Sequence, residues 1–321
     1  MFKLFVRRIL LLFPQIIILS FIVFFLSNAV DPLTWTSEGR TTMADASAFN
    51  PEGTLSIFVS YWNWLVGIVT RGDFGWSWRL RMPAIEAIGL RLPNTLRLAV
   101  VTLFLVYGVG ILLGIISGRR VGTWKDRTIQ IVTLMGSSLP SFTLALLLLL
   151  FLGFRLRWFP TSGSLPPGTD RTVVGFVAYQ MRRLQHLVLP ALSLAIIQII
   201  QPMKYLRSGI IDTEGQKFVA MARAKGASET YIFRKHIFKN SLTSLIGSFP
   251  MQIAAVVTGS IIIESIFNFP GLGELFFSAF AGTDTALINS LILVFGLLIL
   301  LGGFISDVLL MAVDPRIKIK E

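Results

Sequence analysis

Long hydrophobic runs alternate with shorter polar stretches along nearly all of this 321-residue chain. A helix needs about 20 consecutive apolar residues to cross a bilayer. Six segments reach or approach that length, at about residues 9–29, 96–116, 128–154, 187–205, 245–267 and 286–311. The pattern predicts an all-α polytopic membrane protein forming a single transmembrane domain over 1–321, with core spans between about 96 and 311. Between the first two spans, residues 31–92 form a long external segment. Its apolar piece, 55–69, is short for a span and is interrupted by Asn63, which predicts an interfacial helix with Trp62 and Trp64 at headgroup level. Gly72-Asp73-Phe74-Gly75-Trp76-Ser77 reads as a turn. Leu92-Pro93-Asn94-Thr95-Leu96 opens the second span, in which Gly108, Gly110 and Gly114 form a small-residue face suited to close helix packing. Pro140 falls within the third span, where it removes one backbone hydrogen bond.

One polar stretch has an architecture of its own. In residues 218–242, Phe218 to Lys225 is free of Gly and Pro and rich in helix formers. Gly226 stands where a helix ends in a left-handed residue, and Ser228 can cap a second helix with Glu229 in its first turn. Tyr231, Ile232, Phe233, Ile237 and Phe238 then alternate with Arg234, Lys235, His236 and Lys239. The expected object is a rigid bracket of helix, glycine hinge and helix within a loop of about 209–243, its apolar side on the membrane helices and its basic side in water.

Charge fixes the expected orientation. Hydrophobic residues make up 54% of the chain and charged ones 14%, against about a quarter in soluble domains. The net charge of +12 sits beside the spans, which points to lipid headgroups and not to nucleic acid. Lys3, Arg7 and Arg8, then Arg119, Arg120, Lys125 and Arg127, the bracket itself, and Arg316, Lys318 and Lys320 mark the inside, so both termini are expected in the cytoplasm. Residues 155–185 are external by alternation despite Arg155, Arg157, Arg171, Arg182 and Arg183 against Asp170. The last external loop, 268–285, has neither Lys nor Arg. Ser27-Asn28-Ala29 has the form of a signal-peptidase site, but the run before it exceeds a signal core, and a retained first span is expected.

Catalytic chemistry is poorly provided for. There is no cysteine, no HExxH and no GxxxxGK[ST], and His186 and His236 lie at or beyond span ends. No catalytic, cofactor or metal residues are expected. An ion-coupled secondary transporter would place ionisable groups near the midplane. Its candidates here, Glu264 and Asp307, lie nearer span ends, and no repeated half is visible. Polar groups inside the fourth and fifth spans, Gln198, Gln201, Gln252 and Thr258, either line a path or join helices.

Ala222-Arg223-Ala224-Lys225-Gly226, followed by His236 and Asn240, resembles the coupling loop of ABC-importer permeases of the dipeptide, oligopeptide and nickel family. Ser244 stands where that motif carries proline, and Ala220 where the broader motif carries glutamate. Further resemblances follow in order: the GD-x-G-x-S segment at Gly72–Ser77, Trp158-Phe159-Pro160 through Gly163, His186-Leu187-Val188-Leu189-Pro190, Pro270-Gly271-Leu272-Gly273, and Asp314-Pro315-Arg316. Together they cover nearly the whole chain. The resemblance implies a type I importer permease fold with six transmembrane helices in a bacterial cytoplasmic membrane. It implies a second homologous permease subunit, two ATP-binding subunits that hold ATP and Mg and hydrolyse it, and an extracytoplasmic solute-binding protein. Peptides are the implied substrate, with nickel or another small solute as the alternative. It places Met221, Ala222, Arg223, Ala224, Lys225, Gly226 and Ser228 in coupling to the ATPase.

Overall fold

The computed structural model describes residues 14–25, 33–36, 39–42, 51–169 and 171–313. The basic N-terminal tail, Ser27-Asn28-Ala29, Asp170, the Asp314-Pro315-Arg316 ending, the basic C-terminus and the side chain of Asp307 lie outside the described residues. The chain divides into two compact units, one formed by the residues up to Leu96 with Asn268–Leu300, the other by Arg97–Phe267 with the residues from Leu301 onward.

In the first unit, α1 (Pro14–Phe25) is the described part of the first predicted span. The hairpin β1 (Leu33–Thr36) and β2 (Gly39–Thr42) follows, and then α2 (Pro51–Arg71), which extends the predicted piece at both ends. An aromatic seam joins α2 to α1: Phe21 stacks on Phe58 at 5.2 Å, and Phe24 meets Trp64 at 5.5 Å. The Tyr61 hydroxyl lies 2.7 Å from that of Ser20 and donates to the Ile17 carbonyl. Trp62 is exposed, whereas Trp64 turns toward α1, so the two indoles do not share an environment.

The turn at Gly72 has left-handed glycines, Gly72 at φ +65° and Gly75 at φ +94°, a region glycine enters without penalty. It leads into the small pair β3 (Trp76–Ser77) and β4 (Met82–Pro83). The Ser77 hydroxyl donates to buried Asp284 at 2.6 Å, and Ser290 donates to the Phe74 carbonyl. Helix α3 (Ala84–Gly118) starts well before the predicted residue 96 and carries Pro93 inside it. The predicted loop 268–285 contains a helix, α13 (Leu272–Ala281). Its first N–H would be an orphan, since Gly271 offers no capping side chain; the Thr95 hydroxyl accepts it at 2.7 Å. Asn94 donates to the Pro270 carbonyl and Arg91 pairs with Glu274, so the LPNT and PGLG strings meet. Helix α14 (Thr285–Val313) contributes to both units, as does α3.

The second unit departs most from straight spans. The third breaks at Pro140 into α4 (Trp124–Ser137) and α5 (Ser141–Leu148), the latter continued by a π-helical turn, Leu149–Arg155, with a 97° bend between the two parts. Pro140 caps α5 from outside because it cannot supply the N–H a continuous helix would need. After the short α6 (Arg171–Val174), the fourth span is a pair, α7 (Phe176–Gln198) and α8 (Ile200–Glu214), bent by 41°. It begins well before the predicted residue 187. The turn at Gly163 is tied to α7 by His186, whose Nδ1 lies 3.0 Å from the Ser162 carbonyl, and the Gly163 N–H donates to the Phe267 carbonyl. The fifth span is α12 (Phe249–Ile266), which α11 (Phe238–Gly247) precedes across Ser248. Among the described residues three helices, Ala84–Gly118, Phe249–Ile266 and Thr285–Leu310, are each long and apolar enough to cross a membrane, and the two bent pairs, at Pro140 and at Ile199, are so when each is taken as one span.

The glycine face of α3 packs on α8, but its members differ from those predicted. A Cβ at Gly110 would lie 3.1 Å from that of Pro202, at Gly114 3.0 Å from that of Leu206, and at Gly118 3.0 Å from that of Ile210. Gly108 has open space instead. Gly114→Val should therefore push α3 off α8 at a cost of about 1–3 kcal/mol. The melting temperature of the purified protein reads this, and an unchanged value would mean the helices separate freely.

Candidate functional site

The loop between α8 and α11 folds as two helices about a glycine. Helix α9 (Lys217–Ala224) ends in a reciprocal pair of bonds: the Gly226 N–H donates to the Arg223 carbonyl at 2.9 Å and the Ala227 N–H to the Ala222 carbonyl at 3.2 Å. This is the Schellman arrangement, which requires a left-handed residue at Gly226, found at φ +78°. Its usual apolar contact is present too, with Ala222 and Ala227 on the same core. Helix α10 (Glu229–Ile232) follows, capped by the Ser228 hydroxyl, which accepts from the Tyr231 N–H at 3.4 Å. A π-helical turn, Phe233–Ile237, carries the chain into α11.

Packing and charge hold this bracket together. Val219, Ile232 and Ile237 are buried against Leu206 and Ile210 of α8, with Ile111 and Ile115 of α3 around them. The Arg119 guanidinium sits 4.4 Å above the Phe233 ring. Arg223 donates twice to Glu229, at 2.7 and 3.0 Å, and once to Glu214 at 3.1 Å, stapling α8, α9 and α10. The staple holds the Glu229 carboxyl below its ordinary value, chiefly through the Arg223 hydrogen bonds. A depressed carboxylate stabilises the fold above its unfolded pKa and loses that contribution as pH falls through the folded one. The staple therefore belongs to neutral pH and weakens in acid.

The predicted coupling residues separate into two groups. Arg223 and Ser228 serve the bracket's own architecture, and Ala222 turns toward the apolar core. Met221, at 58% exposure, faces out, as do Ala224 and Lys225. Beside them Phe218 and Tyr231 are also exposed, each in ring contact with His236. Tyr231 is thus a surface residue, not one of the apolar groups laid on the membrane helices. A shallow basin of about 390 Å³ lined by Ser228, Thr230, Tyr231, Arg234 and Lys235 adds positive charge to this face.

The polar residues of the fourth and fifth spans also separate. Gln252 donates through Nε2 to Gln198 Oε1, and Gln198 donates to the Ala255 carbonyl at 3.3 Å. Gln201 is exposed, and exposed Thr258 donates to Ala254, a carbonyl of its own helix. Glu264 is fully buried and has an interaction partner. Among the described residues no group of three or more His, Asp or Glu side chains is placed to hold a metal ion.

Sequence reasoning passed over Asp126, the one acid in the basic turn 119–127. It is 1% exposed and accepts two hydrogen bonds from Arg207, both at 2.9 Å, one from Gln130 at 2.9 Å, one from the Gly122 N–H at 3.0 Å, and one from the Ser117 hydroxyl. The α3–α4 turn is thereby bound to α8. A lone acid among Arg119, Arg120, Lys125 and Arg127 was the available signal.

Comparison with solved structures places the architecture. A chain of the MetNI methionine ABC transporter in an inward-facing conformation superposes with a TM-score of 0.56, covering 72% of this chain and 97% of its own, at 17% identity. The likeness places the chain in the type I ABC-importer fold. The chain belongs to the family of binding-protein-dependent transport system inner membrane components, whose model matches residues 110–319. It is 33% identical over 98% of both chains to the oligopeptide transport system permease protein AppB of Bacillus subtilis. A putative peptide permease of Brucella ovis is 34% identical, covering 81% of this chain and 80% of its own. The glutathione transport system permease protein GsiC of Escherichia coli is 28% identical over 98% of both. The chain is thus an inner-membrane transport subunit of an ABC importer, a class that works with an ATPase and a binding protein.

Proposed function

We propose that this chain, paired with a second homologous permease subunit, forms the path by which peptides enter the cell. Two ATP-binding subunits hold ATP and Mg, carry out hydrolysis, and receive the outward face of the bracket. A solute-binding protein delivers peptide from outside, and both termini lie in the cytoplasm. ATP binding closes the ATPase pair, the bracket follows, and access to the path alternates. One observation carries this reading: Met221, Ala224 and Lys225 stand exposed on a bracket whose shape is held from within by Arg223, Ser228 and the Val219–Ile232–Ile237 core. A surface so maintained, in a chain similar end to end to an oligopeptide permease, suits a partner outside the membrane.

The test is co-purification from native membrane, followed by ATPase assay of the assembly with its binding protein and, in turn, dipeptides, longer peptides, glutathione and nickel ions. Peptide-stimulated hydrolysis is expected, and Met221→Asp should reduce the ATPase recovered with the chain at least about 10-fold by placing an unpaired charge in the interface. Stimulation by nickel alone would replace the peptide assignment. A chain that purifies alone and moves solute on an ion gradient would overturn the reading.

A further inference from the structure

The second unit is built from two packed groups. Helices α5, α7 and α12 pack on one another. Helices α8 and α11 pack together and carry the bracket between them. Their contact is tight, since a Cβ at Gly209 would lie 3.1 Å from the Ser241 carbonyl oxygen. The glycine face of α3 and the Asp126–Arg207 pair bind the α3–α4 turn to this second group.

The chain crosses between the groups at Ile199 and at Ser248, and both crossings have one cause. Proline has no N–H for the carbonyl four residues earlier. Pro202 therefore leaves the Gln198 carbonyl without its helical donor, and the chain bends by 41° at the next residue. Pro250 does the same to the Ile246 carbonyl, and α11 gives way to α12. The freed Ile246 carbonyl is taken by the Ser306 hydroxyl at 3.1 Å, which makes the break tolerable in an apolar setting. The two breaks are joined through side chains: Gln198, last residue of α7, accepts from Gln252 near the start of α12 and itself donates to Ala255.

We propose that Ile199 and Ser248 are paired hinges on which α8, the bracket and α11 swing as one body against α7 and α12, and that Gln198–Gln252 is the pin holding the two pivots in register. Gln198 and Gln252 are then positioning residues and not substrate contacts. The inference rests on the reading that the bracket receives motion from an ATPase.

The experiment uses the assembled transporter in liposomes, with Gln198→Leu and Gln252→Leu made singly and together. Peptide moved per ATP hydrolysed is measured with the KM for peptide and the melting temperature of the complex. Each single variant should lower the transport ratio about 10-fold with KM unchanged. The double variant should be no worse than either single one, because both remove the same interaction. An unaltered ratio, or effects that multiply and raise KM, would overturn the pin and return the glutamines to the substrate path. Should the variants fail to assemble, the cysteine-free chain permits labels at Lys217→Cys with Lys239→Cys, and at Lys217→Cys with Arg182→Cys. ATP should change the second distance and leave the first constant; a first distance that changes as much overturns the swinging body. If the wild-type chain recovers no ATPase, it is the docking reading that falls, whatever the variants do.

Discussion

Replacing Arg207 with methionine is expected to destabilise the folded chain by about 3–5 kcal/mol, the loss typical when one partner of a buried ion pair is removed. Asp126 is buried and its carboxylate is saturated with donors, two of them from the one guanidinium. Without Arg207 the charge stays buried with only neutral hydrogen bonds from Ser117, Gln130 and Gly122 to hold it. Arg207→Lys should fall between, since an ammonium cannot make two parallel bonds to a carboxylate. The double replacement Asp126→Leu with Arg207→Met should recover most of the loss, because it removes the desolvated charge as well as its partner. Thermal melting of the detergent-solubilised protein measures all three. A single-variant loss below about 1 kcal/mol, or a double variant as unstable as the single, would contradict this account.

Substitution of Gly226 should act on transport more than on folding. A Cβ at this position would meet nothing within 4 Å, so clash plays no part and the penalty is that of the left-handed backbone alone. For alanine that penalty is about 1 kcal/mol, and a β-branched residue pays more. Gly226→Ala is expected to keep the Schellman bonds under strain, whereas Gly226→Val should release them and let α9 and α10 change their angle. Reconstituted transport per ATP should therefore fall further for valine than for alanine, with asparagine, which tolerates this conformation, closest to wild type. Equal activity of the valine and alanine variants would show that the bracket angle does not matter.

The bracket was legible in the sequence because its chemistry is local. A helix-stopping glycine, a serine cap and an acid in the next turn lie within a few residues, and the structure forms the helices they specify. What depends on distant partners was not legible. Helix α13 contains Gly273 and Ser278 and lies in a stretch that reads as a loop; it is held by Thr95 and Arg91, nearly two hundred residues away in the chain. Pro140 stands out within a span, but proline is also tolerated in unbroken helices, as Pro93 in α3 and Pro190 in α7 demonstrate. The partner that takes the freed Ile246 carbonyl, Ser306, is remote in the chain. Likewise, polarity marked Gln198, Gln201, Gln252 and Thr258 as a set, while only the helix rotations reveal that the first and third meet.

The concentration of short-range bonds between Glu214 and Ser241 has a mechanical meaning. When elastic elements are linked in series, a displacement imposed at one end is absorbed mostly by the most compliant of them. A loop of ordinary softness would take up a partner's movement in its own bending and pass little to the helices. Here the Arg223 staple, the Ser228 cap, the paired bonds at Gly226 and the Val219–Ile232–Ile237 core all oppose such bending. Deformation is left to the places where backbone bonding is already broken. A push on the outer surface would thus be passed to α8 and α11 instead of being spent in the loop.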